Sequence, residues 1–269
     1  MGVAGERGAR AVAVVVARAG SKGLAGKNVA SVAGRPCVEW TIEDALESSR
    51  CGRVLVSSDD ERVLAIASRM GATPVAREAE WASDGARVDD AVRACLARAA
   101  GMSPALTLGA RDGVVILYGN VPVRPAGLID RALELLERTG CDSVQSYARV
   151  GKLHPWWQAR VEEGSGRVSP WEGRVLFNGV YRRQDLPASY VPDGGVLAVT
   201  GRALKGEVPG VATGPHGFLG LDHRAVVTSW GEVVDIDGAI DLAVADAMLR
   251  GEGGCGSGRE KSGSSAGRT

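Results

Sequence analysis

The stretch AVAVVVARAGSKGLAGKN, residues 11–28, decides the fold. Its first seven residues, Ala11 to Ala17, are all apolar and rich in valine, which predicts a short strand buried on both faces. A strand of that kind belongs inside a parallel sheet with helices on either side. It runs directly into a loop containing Gly20, Gly23 and Gly26, residues that let a backbone turn tightly and approach a ligand. Successive amide N–H groups in such a loop form a concavity for anions. Arg18, Lys22 and Lys27 add three cations, and Ser21 adds a hydroxyl donor. Oriented amides with mobile cations are what a polyphosphate requires. The loop lacks the Gly-Lys-Ser/Thr ending of a P-loop and the Gly-x-Gly-x-x-Gly of a dinucleotide fold. From these residues alone, a solvated basic turn is the competing reading.

Outward from this loop, short apolar runs alternate with longer amphipathic ones. Helical spacing over 36–49 places Val38, Ile42, Ala45 and Leu46 on one side. A second strand is predicted over 53–58, a second helix with acidic residues at its start over 60–70, and a third strand over 72–76. A helix over 88–100, a buried strand over 113–118 and a helix over 125–139 with Pro125 at its start follow. A last helix runs from Asp237 to about Arg250. The alternation predicts an α/β fold, a mostly parallel sheet with helices on both faces. Ligands bind such sheets at the carboxyl ends of the strands, which singles out the loops after Ala17, Ser58, Ala76 and Tyr118. The rhythm is lost over 145–200, where His154, Trp156, Trp157, Trp171, Phe177 and Tyr181 sit among arginines and glycines. That region predicts an inserted, hairpin-rich arm within a domain spanning 11–250. Residues 1–10 and the Gly/Ser-rich 251–269 read as flexible ends.

Lys plus Arg and Asp plus Glu both number 32, so the chain is formally neutral. Neutrality argues against nucleic acid or a membrane surface as partner. Aromatic residues make up only 4%, so the core must be largely Val, Leu, Ile and Ala. The five cysteines, Cys37, Cys51, Cys95, Cys141 and Cys255, are dispersed and lack Cys-x-x-Cys spacing. That pattern predicts neither a disulfide framework nor a zinc site, and suits reduced thiols in a cytoplasmic protein. No signal-peptide layout opens the chain, and no apolar run is long enough for a membrane helix.

Asp235 and Asp237 are separated by one residue. In extended backbone both would point the same way, two hard oxygen donors suited to Mg²⁺ with water and phosphate. Asp237 is equally well placed to cap the last helix.

The stretch ARAGSKGLAGKN (17–28) resembles the opening motif of the acylneuraminate cytidylyltransferases, and the resemblance runs from about Val12 to Ala247. It continues through Pro36–Ile42, through VLVSSDDE (54–61), and through Arg77 with Glu80–Asp84. It ends with the arm motif RRQDLP (182–187) and the late metal motif DIDGAIDL (235–242). The resemblance implies a Rossmann-like nucleotidyltransferase fold whose arm joins two subunits. It implies transfer of CMP from CTP to an acidic sugar, a nonulosonate such as N-acetylneuraminate, with release of pyrophosphate. Arg18 and Lys27 would hold the triphosphate as catalytic residues, with Ser21, Lys22 and Gly23 in the phosphate loop. Asn28, Arg77 and Ser83 would meet ribose and cytosine. Asp235 and Asp237 would bind Mg²⁺, and Arg183 would grip the sugar carboxylate, often from the partner of a homodimer.

The chain departs from the family on the sugar side. After the central strand it reads Leu117-Tyr118-Gly119-Asn120-Val121-Pro122-Val123-Arg124, where the family usually has Leu-Gln-Pro-Thr-Ser-Pro-Leu-Arg. Tyr118 replaces the sugar-binding glutamine, the Pro-x-Arg ending in Arg124 is kept, and the resemblance implies that both residues bind substrate. Asp193 stands where the family has asparagine. Alternatives are a nucleotidylyltransferase for another sugar, such as 3-deoxy-manno-octulosonate, and a non-catalytic nucleotide-binding homologue.

Overall fold

In the computed structural model, which describes residues 11–20, 23–83, 85–102 and 105–251, the valine-rich run forms the central strand. The strands in chain order are β1 (Ala11–Val16), β2 (Ser31–Val32), β3 (Arg35–Pro36), β4 (Cys51–Ser58), β5 (Thr73–Ala76), β6 (Gly113–Tyr118), β7 (Ser143–Arg149), β8 (Ala159–Val161), β9 (Val168–Pro170), β10 (Tyr190–Thr200) and β11 (His223–Thr228). The helices are α1 (Cys37–Glu47), α2 (Glu61–Arg69), α3 (Ala79–Ala82), α4 (Val88–Ala100), α5 (Leu128–Thr139), α6 (Gly201–Leu204) and α7 (Ala239–Leu249).

Seven strands form one sheet in the order β11-β7-β10-β6-β1-β4-β5. β1 runs parallel to β4 and β6, β4 to β5, and β7 to β11. Only β10 is reversed, pairing antiparallel with both β6 and β7. Strand alternation sends Ala11, Ala13 and Val15 into one core, with Val38 and Ile42 of α1, Val63 and Ile66 of α2, and Leu128 to Leu136 of α5. Val12 and Val14 enter the opposite core, with Val92 and Cys95 of α4, Leu204 of α6 and Phe218. Helices therefore cover both faces, as the continuous apolar strands require.

Three departures from the sequence reading have a local reason. α5 begins at Leu128, not Pro125, because Gly127 takes a left-handed φ of 70°. A turn from Leu128 N to Pro125 O, 3.2 Å, precedes the helix. At α7 the capping group is Asp241, whose carboxylate accepts from Asp237 N at 3.0 Å and Gly238 N at 2.8 Å. Asp237 is thereby spared the cap role. The expected arm over 145–200 is narrower: its flanks belong to β7 and β10, which pair with each other. Outside the sheet lie 150–189, built from the β8–β9 hairpin and short 3₁₀ turns. Residues 1–10 and all of the predicted tail beyond Gly251 lie outside the described residues. Among the described residues no helix is long and apolar enough to cross a membrane. Cys37, Cys51, Cys95 and Cys141 are free thiols.

Candidate active site

At the carboxyl ends of β1 and β6 lies a cleft of about 290 Å³. One bank is made by the loop after β1 and by the segment after β5. Arg18 Nη1 donates to the carbonyl of Ser83 at 3.1 Å, bridging these two segments. Asn28 is buried, and its Nδ2 donates to Arg18 O at 2.9 Å. Gly119 leaves room for it, since a Cβ there would lie 2.8 Å from Asn28 Oδ1 and from Ala17 Cβ. Arg77 is held by Ser57, through Nε to Oγ at 3.1 Å and Nη2 to the carbonyl at 3.0 Å. Burial pulls the Arg77 pKa down, against the pull of Asp59. Ser83 is exposed at the rim and donates to Glu80 O at 3.2 Å. The structure thus gathers Arg18, Lys27, Asn28, Arg77 and Ser83 around one space. Ser21 and Lys22 lie outside the described residues.

The opposite bank is the segment 234–237. Val234 and Ile236 point into a core with Val32, Cys37, Val123 and Ala245, so Asp235 and Asp237 point outward together. Lys27 Nζ reaches across to Asp237 Oδ1 at 2.8 Å. The loop presses closely here: a Cβ on Gly23 would lie 2.3 Å from Asp237 O. Asp235 opens on the cleft but is walled in by it. Desolvation, then the charge of Asp237, pushes its carboxyl up to about 6, while Lys27 and Arg124 oppose the shift. Asn120 Nδ2 donates to Asp235 Oδ1 and, at 3.0 Å, to Ile236 O. Tyr118 is half-buried at the cleft, and burial first, then Asp235, raises its phenol pKa.

Two expected substrate residues stand elsewhere. Arg124 is buried beneath the cleft and spends its guanidinium inside the protein. It donates to the carbonyls of Gly195 (2.6 Å), Val121 (2.6 Å) and Tyr118 (3.2 Å), to Thr41 Oγ1, and to Asp44 at 3.3 Å. Its expected place in substrate binding gives way to that of an internal tie, because the cation is consumed by the loop it folds. Arg183 lies exposed on the arm beside Gly151 and does not line this chain's cleft. Besides Asn120, three residues of the site had no assigned role from sequence. Asp59 holds the loop after β1 by accepting from Ala19 N at 2.7 Å. Trp81 and Arg87 line the cleft from either side of Ser83 in sequence. Asp59 stood within a quoted motif, but nothing in that motif says that it faces a backbone amide.

A mostly parallel sheet that aims a basic glycine-rich loop and two outward carboxylates at one cleft is the build of a Rossmann-like nucleotidyltransferase. A solved CMP:2-keto-3-deoxy-manno-octonic acid synthetase complexed with CTP shares this fold at a TM-score of 0.63 and 18% identity, over 90% of this chain and 99% of that one. The chain belongs to the cytidylyltransferase family, whose model matches residues 12–154. It is 29% identical to the CMP-N,N'-diacetyllegionaminic acid synthase of Legionella pneumophila, over 89% of this chain and 96% of that protein. It is also 29% identical to the N-acylneuraminate cytidylyltransferase of Streptococcus agalactiae, over 69% of this chain but 42% of that longer protein.

Proposed function

We propose that this cytidylyltransferase transfers CMP from CTP to a nonulosonate, an acidic sugar of the N-acetylneuraminate and legionaminate kind, and releases pyrophosphate. The observation that carries the proposal is the meeting of Arg18, Lys27 and Arg77 with Asp235 and Asp237 around one cleft. The near full-length likeness to a legionaminic acid synthase supports the choice of sugar.

In this reading Arg18 and Lys27, helped by Ser21, Lys22 and Gly23, hold the triphosphate, and Lys27 exchanges Asp237 for phosphate oxygens. Asn28, Arg77 and Ser83 face ribose and cytosine. The sugar hydroxyl oxygen forms a bond to the α-phosphorus, the bond from that phosphorus to the β-phosphate oxygen breaks, and the hydroxyl proton is lost. Fixed cations lower the barrier by facing the charge that builds on the phosphoryl oxygens and the leaving group. Asp235 and Asp237 would hold Mg²⁺, which would neutralise phosphate charge when bound. The donor set fits that ion. Mg²⁺ takes one or two carboxylates and completes its shell with water and phosphate. Among the described residues no group of three or more His, Cys, Asp or Glu offers a full protein cage.

The arm would join two copies. It exposes Val161, Trp171, Val175, Phe177 and Tyr181, an apolar surface larger than a solvated hairpin needs. Arg183 would then serve the sugar carboxylate in the partner's cleft, and Tyr118 would face the sugar in its own. Free thiols suit a cytoplasmic setting. A second reading, a different sugar such as 3-deoxy-manno-octulosonate, is favoured by the departures at Tyr118, Asn120 and Asp193.

The test is pyrophosphate release with CTP, Mg²⁺ and a panel of acidic sugars, with UTP as control. Release with CTP and one nonulosonate is expected. Release only with UTP or a non-acidic sugar would sink the substrate assignment, and CTP binding without turnover would indicate a non-catalytic homologue.

A further inference from the structure

Asn120 has no counterpart role in the reading above, yet it is buried and touches the cleft from below. Its Nδ2 lies against two groups that only accept, the Asp235 carboxylate and the Ile236 carbonyl. That environment dictates which end of the amide faces them. The two segments are also locked through their backbones, by Ile236 N to Asn120 O at 2.9 Å and Val234 N to Val123 O at 3.2 Å. On its other side Asp235 meets Gly194, where even a Cβ would lie 3.4 Å from Oδ2.

We propose that Asn120 is a positioning residue for Asp235: its amide occupies Oδ1 and leaves Oδ2 as the oxygen offered to a divalent cation. The proposal rests on the reading of Asp235 as a metal ligand. It explains why this position carries an amide. A carboxylate would set an acceptor against two acceptors and add a third negative charge, and a methyl group would leave Oδ1 unpartnered and the carboxylate free to rotate. The two acidic residues are then unequal. Asp235 is preset by Asn120, whereas the 78% exposed side chain of Asp237 is held by Lys27.

The test uses Mn²⁺ alone as probe, titrated into the full-length protein and followed by electron paramagnetic resonance. Asn120→Ala should weaken Mn²⁺ binding about ten- to hundredfold, the usual cost of losing a partner that orients a ligand. The metal concentration for half-maximal turnover should rise alongside, with KM for CTP unchanged at saturating metal. Asn120→Leu, which fills the same space without a donor, gives the same reading if the alanine variant folds poorly. In an Asp235→Asn background, Asn120→Ala should cause no further loss, because its effect passes through Asp235. Wild-type Mn²⁺ affinity in both Asn120 variants, with loss in Asp235→Asn, would overturn the positioning role and leave the metal reading standing. Unchanged affinity in Asp235→Asn would remove the metal reading and this proposal together. An additional loss in the double variant would show that Asn120 acts by another route.

Discussion

On one bank of the cleft Arg18, Lys27 and Asn28 all come from the loop after β1, and Asn28 is tied to Arg18 only ten residues away. The bank that carries Asp235 is assembled from segments 115 residues apart, joined by Asn120, and rests on Arg124 and on the bulged part of β10. In the first bank Arg18 and Lys27 turn their cations to the cleft from half-buried positions. The second is an extension of the core. Chemistry and stability should therefore separate along this line: residues of the loop matter for turnover, and residues beneath the carboxylates matter for folding.

Arg124→Ala is the most severe test. It takes a buried guanidinium away from Asp44 and from the carbonyls of Gly195, Val121 and Tyr118, so urea unfolding should show a loss of about 3–5 kcal/mol. A loss below about 1 kcal/mol, the value of an exposed ion pair, would mean that the second bank does not depend on its buried cation. Lys27→Ala should behave oppositely, with turnover down about 10²–10³-fold and little change in stability, since its ion-pair partner Asp237 is largely exposed. Asp237→Ala should match it. Wild-type turnover in either variant would mean that the reacting phosphate lies elsewhere. Arg183→Ala should leave both banks intact and raise only KM for the sugar, by about ten- to hundredfold, the value of a charged hydrogen bond. An unchanged sugar dependence would detach the arm from the reaction.

The mildest effect is expected far from the cleft. Asp142, buried between β7, β10 and β11, accepts from Leu221 N (2.9 Å), Asp222 N (3.1 Å) and Arg202 (2.6 Å). These bonds outweigh desolvation and hold its pKa below the ordinary value. Its contribution is thus present above the unfolded carboxylate's pKa of about 4 and disappears as pH falls through the lower folded value. Asp142→Asn should cost about 1–3 kcal/mol at neutral pH and less under acid, with turnover per folded molecule unchanged. A loss that persists undiminished at low pH would assign the effect to packing instead of charge.

Legibility follows the same line between the banks. β1, β6 and α4 could be read from residues because burial on both faces, or helical spacing, writes itself into consecutive positions. The loop after β1 was equally readable, since its cations and glycines are contiguous. Residues whose role depends on a distant partner were not. Arg124 shows its charge in the sequence but not that the chain folds around it. Asp241 takes the cap for which Asp237 was also placed, while Asp237 accepts from Lys27 210 residues away. At α5, Pro125 marked a start that Gly127 then postponed. β7 alternates small, polar and apolar residues, so its place beside the reversed β10 emerges only from pairing.

The alternation over 234–237 has an evolutionary consequence. With Val234 and Ile236 inward and Asp235 and Asp237 outward, a one-residue slip would exchange the two pairs. It would drive both acids into the core and turn both hydrocarbons toward solvent. An inserted or deleted residue here has no partial version. Descendants of this chain can change acid strength or ion preference by gradual substitution, but the parity of this segment can be inherited only intact or lost outright.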